Sequence, residues 1–313
     1  MFDFIGDIHG HLKPLIALLE RLGYKEQDGI YFHPSRQAFF LGDFIDRGPD
    51  SAGVVRLVRR MVEANQALAI MGNHEWNAIQ YHTASISGQF LRPRSAKNRK
   101  QHIRTLESYE CEEDSISPAL ANDLRWFHSL PLFHEGQGFR AVHATWNENE
   151  IAALKKSFPD GIVNSSFVAR AAEKESDEYR ITYVLLKGQE MDLPESLHFQ
   201  DKDGNRRTSA RIKWWKNSPT LDNPSSGSAE EFLFLPAAQT WQPESLPFHS
   251  FPGYSISEAP VFFGHYWKQF PPSLEARNVC CLDYSVARNG HLMAYRWDGE
   301  QSLSEEKFHY TRP

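Results

Sequence analysis

Three short stretches hold the side chains best suited to chemistry: Gly6-Asp7-Ile8-His9-Gly10, Gly42-Asp43-Phe44-Ile45-Asp46-Arg47-Gly48 and Gly72-Asn73-His74-Glu75. Asp7 and His9 are separated by one residue, so on extended backbone both side chains face one way and one ion can take both. Asp43 offers a carboxylate able to bridge two ions, Asn73 a neutral oxygen and His74 an imidazole. A donor set mixing carboxylate, amide oxygen and imidazole suits Mn²⁺, Fe or Zn²⁺ better than Ca²⁺, which prefers all-oxygen cages.

The elements that must position these residues are legible around them. Met1–Ile5, Ala38–Leu41 and Ala67–Met71 are apolar runs of strand character, each ending at a motif, which is where α/β folds place ligands. Leu12, Leu15, Ile16, Leu19 and Leu22 share one helical face, and Gly23 ends that helix. Val54 to Val62 reads as a second helix, capped by Asp50 or Ser51, and a third follows from Glu75. This β-α-β-α-β order predicts an α/β fold with a parallel core and helices outside. Further on, Leu120–Leu130, Ile151–Phe158 and Ser165–Glu178 read as helical. Phe139–Ala144, Ile181–Leu186 and Pro260–Tyr266 read as strands. Residues 279–284 and 291–297 read as a hairpin around Asn289-Gly290.

The motif set resembles that of calcineurin-like metallophosphoesterases: Asp-x-His, then Gly-Asp-x-x-Asp-Arg-Gly, then Gly-Asn-His-Glu. Asp46-Arg47-Gly48 resembles the phosphoprotein-phosphatase branch, which includes serine/threonine phosphatases and bacterial dinucleoside tetraphosphatases. Val142-His143-Ala144 resembles the fourth motif, although Thr145-Trp146 stands where Gly is usual, and Gly264-His265 resembles the fifth. The resemblance covers roughly residues 1–82, 138–146 and 260–300. It implies a four-layer α/β/β/α sandwich with two mixed β-sheets flanked by helices, in one domain over 1–313. Within that domain we expect an insertion or cap at about 150–258 and a basic loop or helical segment at 83–103.

The resemblance also implies the site. Asp7 and His9 would bind one divalent ion, Asp43 would bridge, and Asn73, His143 and His265 would bind the second, with Mn²⁺ the first choice and Fe or Zn²⁺ compatible. Water activated between the ions would attack phosphorus. His74 would be the general acid, oriented by Asp46, with Arg47, Asn73 and Arg211 as phosphate contacts. Lys213 and Arg140 compete with Arg211, and Glu75 would support the site from behind. The implied reaction is hydrolysis of phosphomonoesters, in a phosphoprotein or a small ester. The alternatives are a dinucleoside polyphosphate hydrolase, a nuclease, or a scaffold on the same fold. Trp146, Trp214, Trp215, Tyr266 and Trp267 could stack a base but more often pack.

Composition narrows the partners. The 313 residues are 41% hydrophobic and 24% charged, ordinary for a globular chain. A net charge of −6 argues against general nucleic-acid binding. Arg92, Arg94, Lys97, Arg99 and Lys100 nevertheless form a basic stretch, either a solvated face or a rim attracting phosphorylated substrates. Cys111, Cys280 and Cys281 form no disulfide framework and lack metal spacing. No leader-like segment opens the sequence and no apolar run reaches membrane-spanning length, so a cytoplasmic, membrane-free protein is expected. Asp201–Asn205 resembles part of a calcium loop without its distal Glu, and Ser218–Ser228 reads as a loop.

Overall fold

The computed structural model describes residues 1–193, 195, 198–200, 206–216, 234 and 253–312. The chain divides into two compact units, Met1–Lys187 with Ala259–Pro313, and Gly188–Glu258. The first unit begins with β1 (Phe2–Ile5), α1 (Leu12–Arg21), β2 (Lys25–Gln27), β3 (Ile30–Phe32), β4 (Gln37–Phe40), α2 (Ser51–Glu63), β5 (Ala67–Ala69) and α3 (Asn73–His82). It continues with α4 (Ala96–Ser108), α5 (Pro118–Phe127), β6 (Phe133–Gly136), β7 (Phe139–Val142), α6 (Glu148–Lys155), α7 (Ser165–Arg170) and α8 (Asp177–Lys187). The second unit carries β8 (Glu190–Asp192), β9 (Phe199–Gln200), β10 (Arg206–Arg207) and β11 (Ser209–Arg211). The first unit then resumes with β12 (Val261–Phe263), β13 (Val279–Cys281), β14 (Asp283–Tyr284), β15 (His291–Trp297) and β16 (Phe308–Thr311).

Two mixed sheets form the core of the first unit. In the six-stranded sheet the order is β14-β15-β1-β4-β5, with β16 on β15. Here β1, β4 and β5 run parallel, as the β-α-β-α-β pattern requires, while β15 lies antiparallel to β1. The four-stranded sheet has the order β13-β12-β7-β6, parallel except at β6–β7. Phe2, Phe4 and Phe39 from the first sheet pack with Phe139, Ala141, Phe262 and Cys280 from the second in one buried cluster. Phe4 stacks on Phe262, ring centroids 3.7 Å apart and planes 9° from parallel. The fold is therefore mixed α/β with two mixed sheets and helices. Its one buried charge on β1, Asp3, accepts from Arg36 Nε at 3.0 Å and Arg296 Nε at 2.9 Å, so it is paired rather than stranded in the core.

Two sequence expectations fail for identifiable reasons. Ile181–Leu186, expected as a strand, lies in helix α8. A six-residue apolar run does not separate strand from buried helix by period. Here Ile181, Val184 and Leu185 bury at helical spacing, and Thr182 Oγ1 donates to the carbonyl of Glu178 at 2.9 Å. Residues 279–284 are not one strand of a hairpin. Leu282 N–H donates to Phe263 O at 2.8 Å, and the chain then leaves the second sheet to join the first as β14. Within 279–284 it is β14 that pairs with β15, across a 3₁₀ turn at Val286–Arg288. The third helix starts at Asn73 rather than at Glu75, which places Asn73 and His74 in its first turn. Asp201–Asn205 and Ser218–Ser228 lie outside the described residues.

Candidate metal centre

Three loops meet at the strand ends, and each holds the others. Ile8 and His9 N–H groups donate to Asp43 O at 3.0 and 2.8 Å, and Gly10 N–H to Phe44 O at 2.7 Å. Glu75, fully buried on α3, accepts the N–H groups of Asp43 (2.8 Å), Phe44 (2.8 Å), Ile45 (3.3 Å) and Gly72 (3.0 Å). Burial, then the Asp43 charge, push its carboxyl up to about 7, whereas four converging donors call for the anion. The bonds hold a strained backbone: His9, Asp43, Asp46, Arg47 and His265 all have left-handed φ, between 46° and 68°. Such conformations cost about 1–3 kcal/mol each outside glycine and persist only where the surroundings impose them. Gly72 is required by close approach, since a Cβ there would lie 2.2 Å from Asp43 N and 2.4 Å from Asp43 Oδ1. At Gly264 a Cβ would lie 2.0 Å from Asp7 Oδ1.

The imidazoles are pre-set as donors of lone pairs. His9 Nδ1 donates to Ile45 O at 3.0 Å, so its Nε2 carries the lone pair. That Nε2 is buried without a hydrogen-bond partner, 3.5 Å from Asp43 Oδ2 and 4.0 Å from Asp7 Oδ2. His143 Nδ1 donates to Leu41 O at 2.8 Å, which directs its Nε2 at Asn73 Oδ1 (3.1 Å) and Asp43 Oδ1 (3.4 Å). Lone pairs facing oxygens in a buried site need a cation or a proton between them. The donors cluster in two sets that share Asp43, namely His9, Asp43 and His74, and Asp43, His143 and His265. The residues therefore fit a pair of metal ions on either side of Asp43.

Charge in the cluster points the same way. Burial, then Asp283, hold the Asp7 carboxyl well above its usual range. Burial also raises Asp283, a buried acid whose part in the site no motif signalled. Burial would raise Asp43 too, but contacts with His143 and His74 outweigh it and hold the carboxyl well below its usual range. Burial opposes a charge on His143, yet Asp43 and Asp7 lift it to about 10. Burial, then Arg47 and His74, push His9 well below its usual value. One proton on His143 does in the free protein what a cation does in a loaded site.

Within the first donor set, His74 Nδ1 donates to Asp46 Oδ2 at 2.6 Å, and His74 N–H donates to Asp43 Oδ1 at 2.9 Å. Arg47, exposed among buried neighbours, places Nη2 3.3 Å from His74 Nε2. The other oxygen of Asp46 accepts from His102 Nδ1 at 2.9 Å and Thr105 Oγ1 at 2.5 Å. His102 Nε2 meets His82 Nε2 at 3.0 Å, and burial, then His102, lower His82 to about 3. Burial would raise Asp46, but the bonds from His102 and His74 win and hold it below the usual range.

Residues 1–225 match the family described as calcineurin-like phosphoesterase. The chain belongs to that family. The bis(5'-nucleosyl)-tetraphosphatase PrpE [asymmetrical] of Halalkalibacterium halodurans is 47% identical over 158 residues, covering 50% of this chain and 61% of that protein. Its namesake from Bacillus velezensis is 32% identical over 171 residues, 52% of this chain and 63% of that protein. The matched part thus spans about three-fifths of those relatives. Among solved structures, a serine/threonine phosphatase from Saccharomyces cerevisiae aligns at TM-score 0.49 and 14% identity, covering 99% of this chain and 78% of that one.

Other residues of this calcineurin-like phosphoesterase take different places from those expected. Arg92 and Arg94 of the basic stretch are held by neighbours, whereas Lys97, Arg99 and Lys100 lie exposed. Arg94 pairs with Asp114 and Glu113, and Arg99 with Glu113. Arg92 donates to Asn77, Asn98 and Gln101. The same segment also supplies His102 and Thr105 to Asp46. A helix with two inward polar residues three apart was the only available signal. Arg140 is held by Glu135 and Glu148. Arg211 lies on β11 and Lys213 just beyond it, both in the second unit. Trp146, Trp214, Trp215 and Tyr266 are buried, whereas Trp267 is 52% exposed. No described helix is long and apolar enough to cross a membrane.

Proposed function

We propose that this chain is a metal-dependent phosphoesterase whose substrate class is a dinucleoside tetraphosphate. The observation that carries the hydrolytic reading is the Asp43 carboxylate, shared by two clusters of imidazole and carboxylate donors, all buried except the half-buried His265. Asp7, His9 and Asp43 would hold one ion, and Asp43, Asn73, His143 and His265 the other. Bound there, two divalent ions supply Lewis acidity to the phosphoryl oxygens and a water made nucleophilic near neutral pH. His74 donates a proton from Nε2 to the departing oxygen. Asp46 holds the ring through Nδ1, which leaves Nε2 beside Arg47 and Asp43. Arg47 contributes a planar fork for non-bridging oxygens.

The names of the curated relatives support the dinucleotide over the phosphomonoester that the motifs alone rank first. The hydrogen-bonded His74–Asp46 pair favours the phosphomonoester as second reading, because a proton donor matters most when the leaving group is a poorly stabilised alkoxide. The test compares diadenosine tetraphosphate with a phosphopeptide pool, each with Mn²⁺ and with chelator. Chelator-sensitive cleavage of the dinucleotide, with little release from peptides, is expected. Release from peptides alone would overturn the substrate assignment. Cleavage that chelator leaves untouched would overturn the metal-dependent reading itself.

A further inference from the structure

We infer that His102, backed by His82, is a positioning residue for the His74–Asp46 pair. It fixes the carboxylate that aims the His74 ring. The inference rests on the reading of His74 as the proton donor. A carboxylate turns freely about its two side-chain bonds unless both oxygens are engaged. Oδ2 of Asp46 is engaged by His74 alone, at 2.6 Å. Oδ1 is closed by His102 Nδ1 at 2.9 Å and the Thr105 hydroxyl at 2.5 Å. The backbone of Asp46 is pinned as well, its N–H donating to Ser51 Oγ at 3.1 Å and Thr105 Oγ1 at 3.0 Å despite φ of 68°. His102 cannot flip without losing a partner on each side, since its Nε2 meets His82 Nε2 at 3.0 Å. Nor is there room to swing. The gap bounded by Asp46, His102, Asn77 and Arg92 is about 10 Å³, roughly one water. Among the described residues His102 meets Asp46, His82 and the Tyr81 ring and none of the proposed metal donors, so it acts through Asp46.

The test uses full-length protein, Mn²⁺-loaded for kinetics and Zn²⁺-loaded with ¹⁵N-histidine for NMR. Displacing a reacting group by about 1 Å can cost roughly 10²-fold. His102→Ala is therefore expected to lower kcat on phenyl phosphate by about 10–100-fold, with KM within about twofold. The loss on p-nitrophenyl phosphate should be smaller, because its leaving group needs less protonation. The His74 Nδ1–H resonance should shift or broaden, and His102→Asn, which keeps a side-chain N–H near Nδ1, should recover most of both. An unmoved resonance, or equal losses on both esters with Asn no better than Ala, would overturn the inference. If His102→Ala does not fold, His82→Ala and Thr105→Val carry the test, and an unmoved resonance in both overturns it. The resonance also decides where neither ester is turned over. Full activity in His74→Ala would remove the proton-donor reading and the inference with it. An impaired His74→Ala beside a normal His102→Ala removes the inference alone.

Discussion

Replacing Glu75 by Gln tests how the motif loops are held. The side chain keeps its volume, but one oxygen becomes an amide that can only donate. In the structure each carboxylate oxygen accepts two buried N–H groups: Oε1 takes Phe44 and Ile45, and Oε2 takes Asp43 and Gly72. Whichever way the amide turns, two N–H groups lose their acceptor and face another donor. At about 1–3 kcal/mol per buried donor left unsatisfied, the change should cost about 2–6 kcal/mol. Removing the charge also relieves repulsion with Asp43. The cost of burying that charge, the largest cause of the upward shift in Glu75, is relieved too, so the net loss should lie toward the lower end of that range. Against a total stability of about 5–15 kcal/mol the loss is large. Urea unfolding of the metal-free protein at pH 8 should show it as a lower midpoint with an unchanged slope. Because the same bonds impose the left-handed φ of Asp43, metal affinity should fall as well. A variant within about 0.5 kcal/mol of the parent, as surface changes usually are, and with parental metal content, would refute the idea that Glu75 ties the loops together.

Other outcomes follow from the same geometry. His74→Ala should lower kcat by about 10²–10⁴-fold while retaining metal, measured as turnover and bound metal on one preparation; full activity would contradict its role. Trp267→Ala should raise KM for diadenosine tetraphosphate by about 5–150-fold, the worth of about 1–3 kcal/mol of base stacking, and leave kcat alone; an unchanged KM would place the base elsewhere. The bond from Arg36, opposed by burial and aided by Lys307, lowers Asp298 to about 2 from 3.8. A depressed carboxyl contributes stability above its unfolded value and loses it as pH falls toward the folded one. Urea midpoints should therefore fall between pH 4 and pH 2 by more in the parent than in Asp298→Asn; equal slopes with pH would count against the pairing.

Much of the site was readable because its chemistry sits in contiguous motifs at strand ends. Asp7, His9, Asp43, Asn73, His74 and His143 are each adjacent to an apolar run whose direction predicts where they meet. Their partners were not readable, because they come from elsewhere in sequence. His102 and Thr105 on α4 reach Asp46 across 56 and 59 residues. Their one local signal is a pair of polar residues three apart on a helix, beside a basic stretch that reads either as a solvated face or as a rim. Asp283 was hidden in an apolar run that changes sheets at Leu282. The α8 run failed for a different reason, since six apolar residues carry no decisive period. The two-sheet core was legible only through resemblance. One contact that joins the sheets, Phe4 on Phe262, links residues far apart in the chain.

The most direct test of the account is metal analysis of the parent and Asp43→Asn, paired with hydrolysis of diadenosine tetraphosphate on the same samples. The parent should bind about two divalent ions per chain, lose activity with chelator and regain it with Mn²⁺, while the variant loses metal and turnover together. Parental metal content in Asp43→Asn, or hydrolysis that persists in excess chelator, would contradict a pair of ions sharing Asp43.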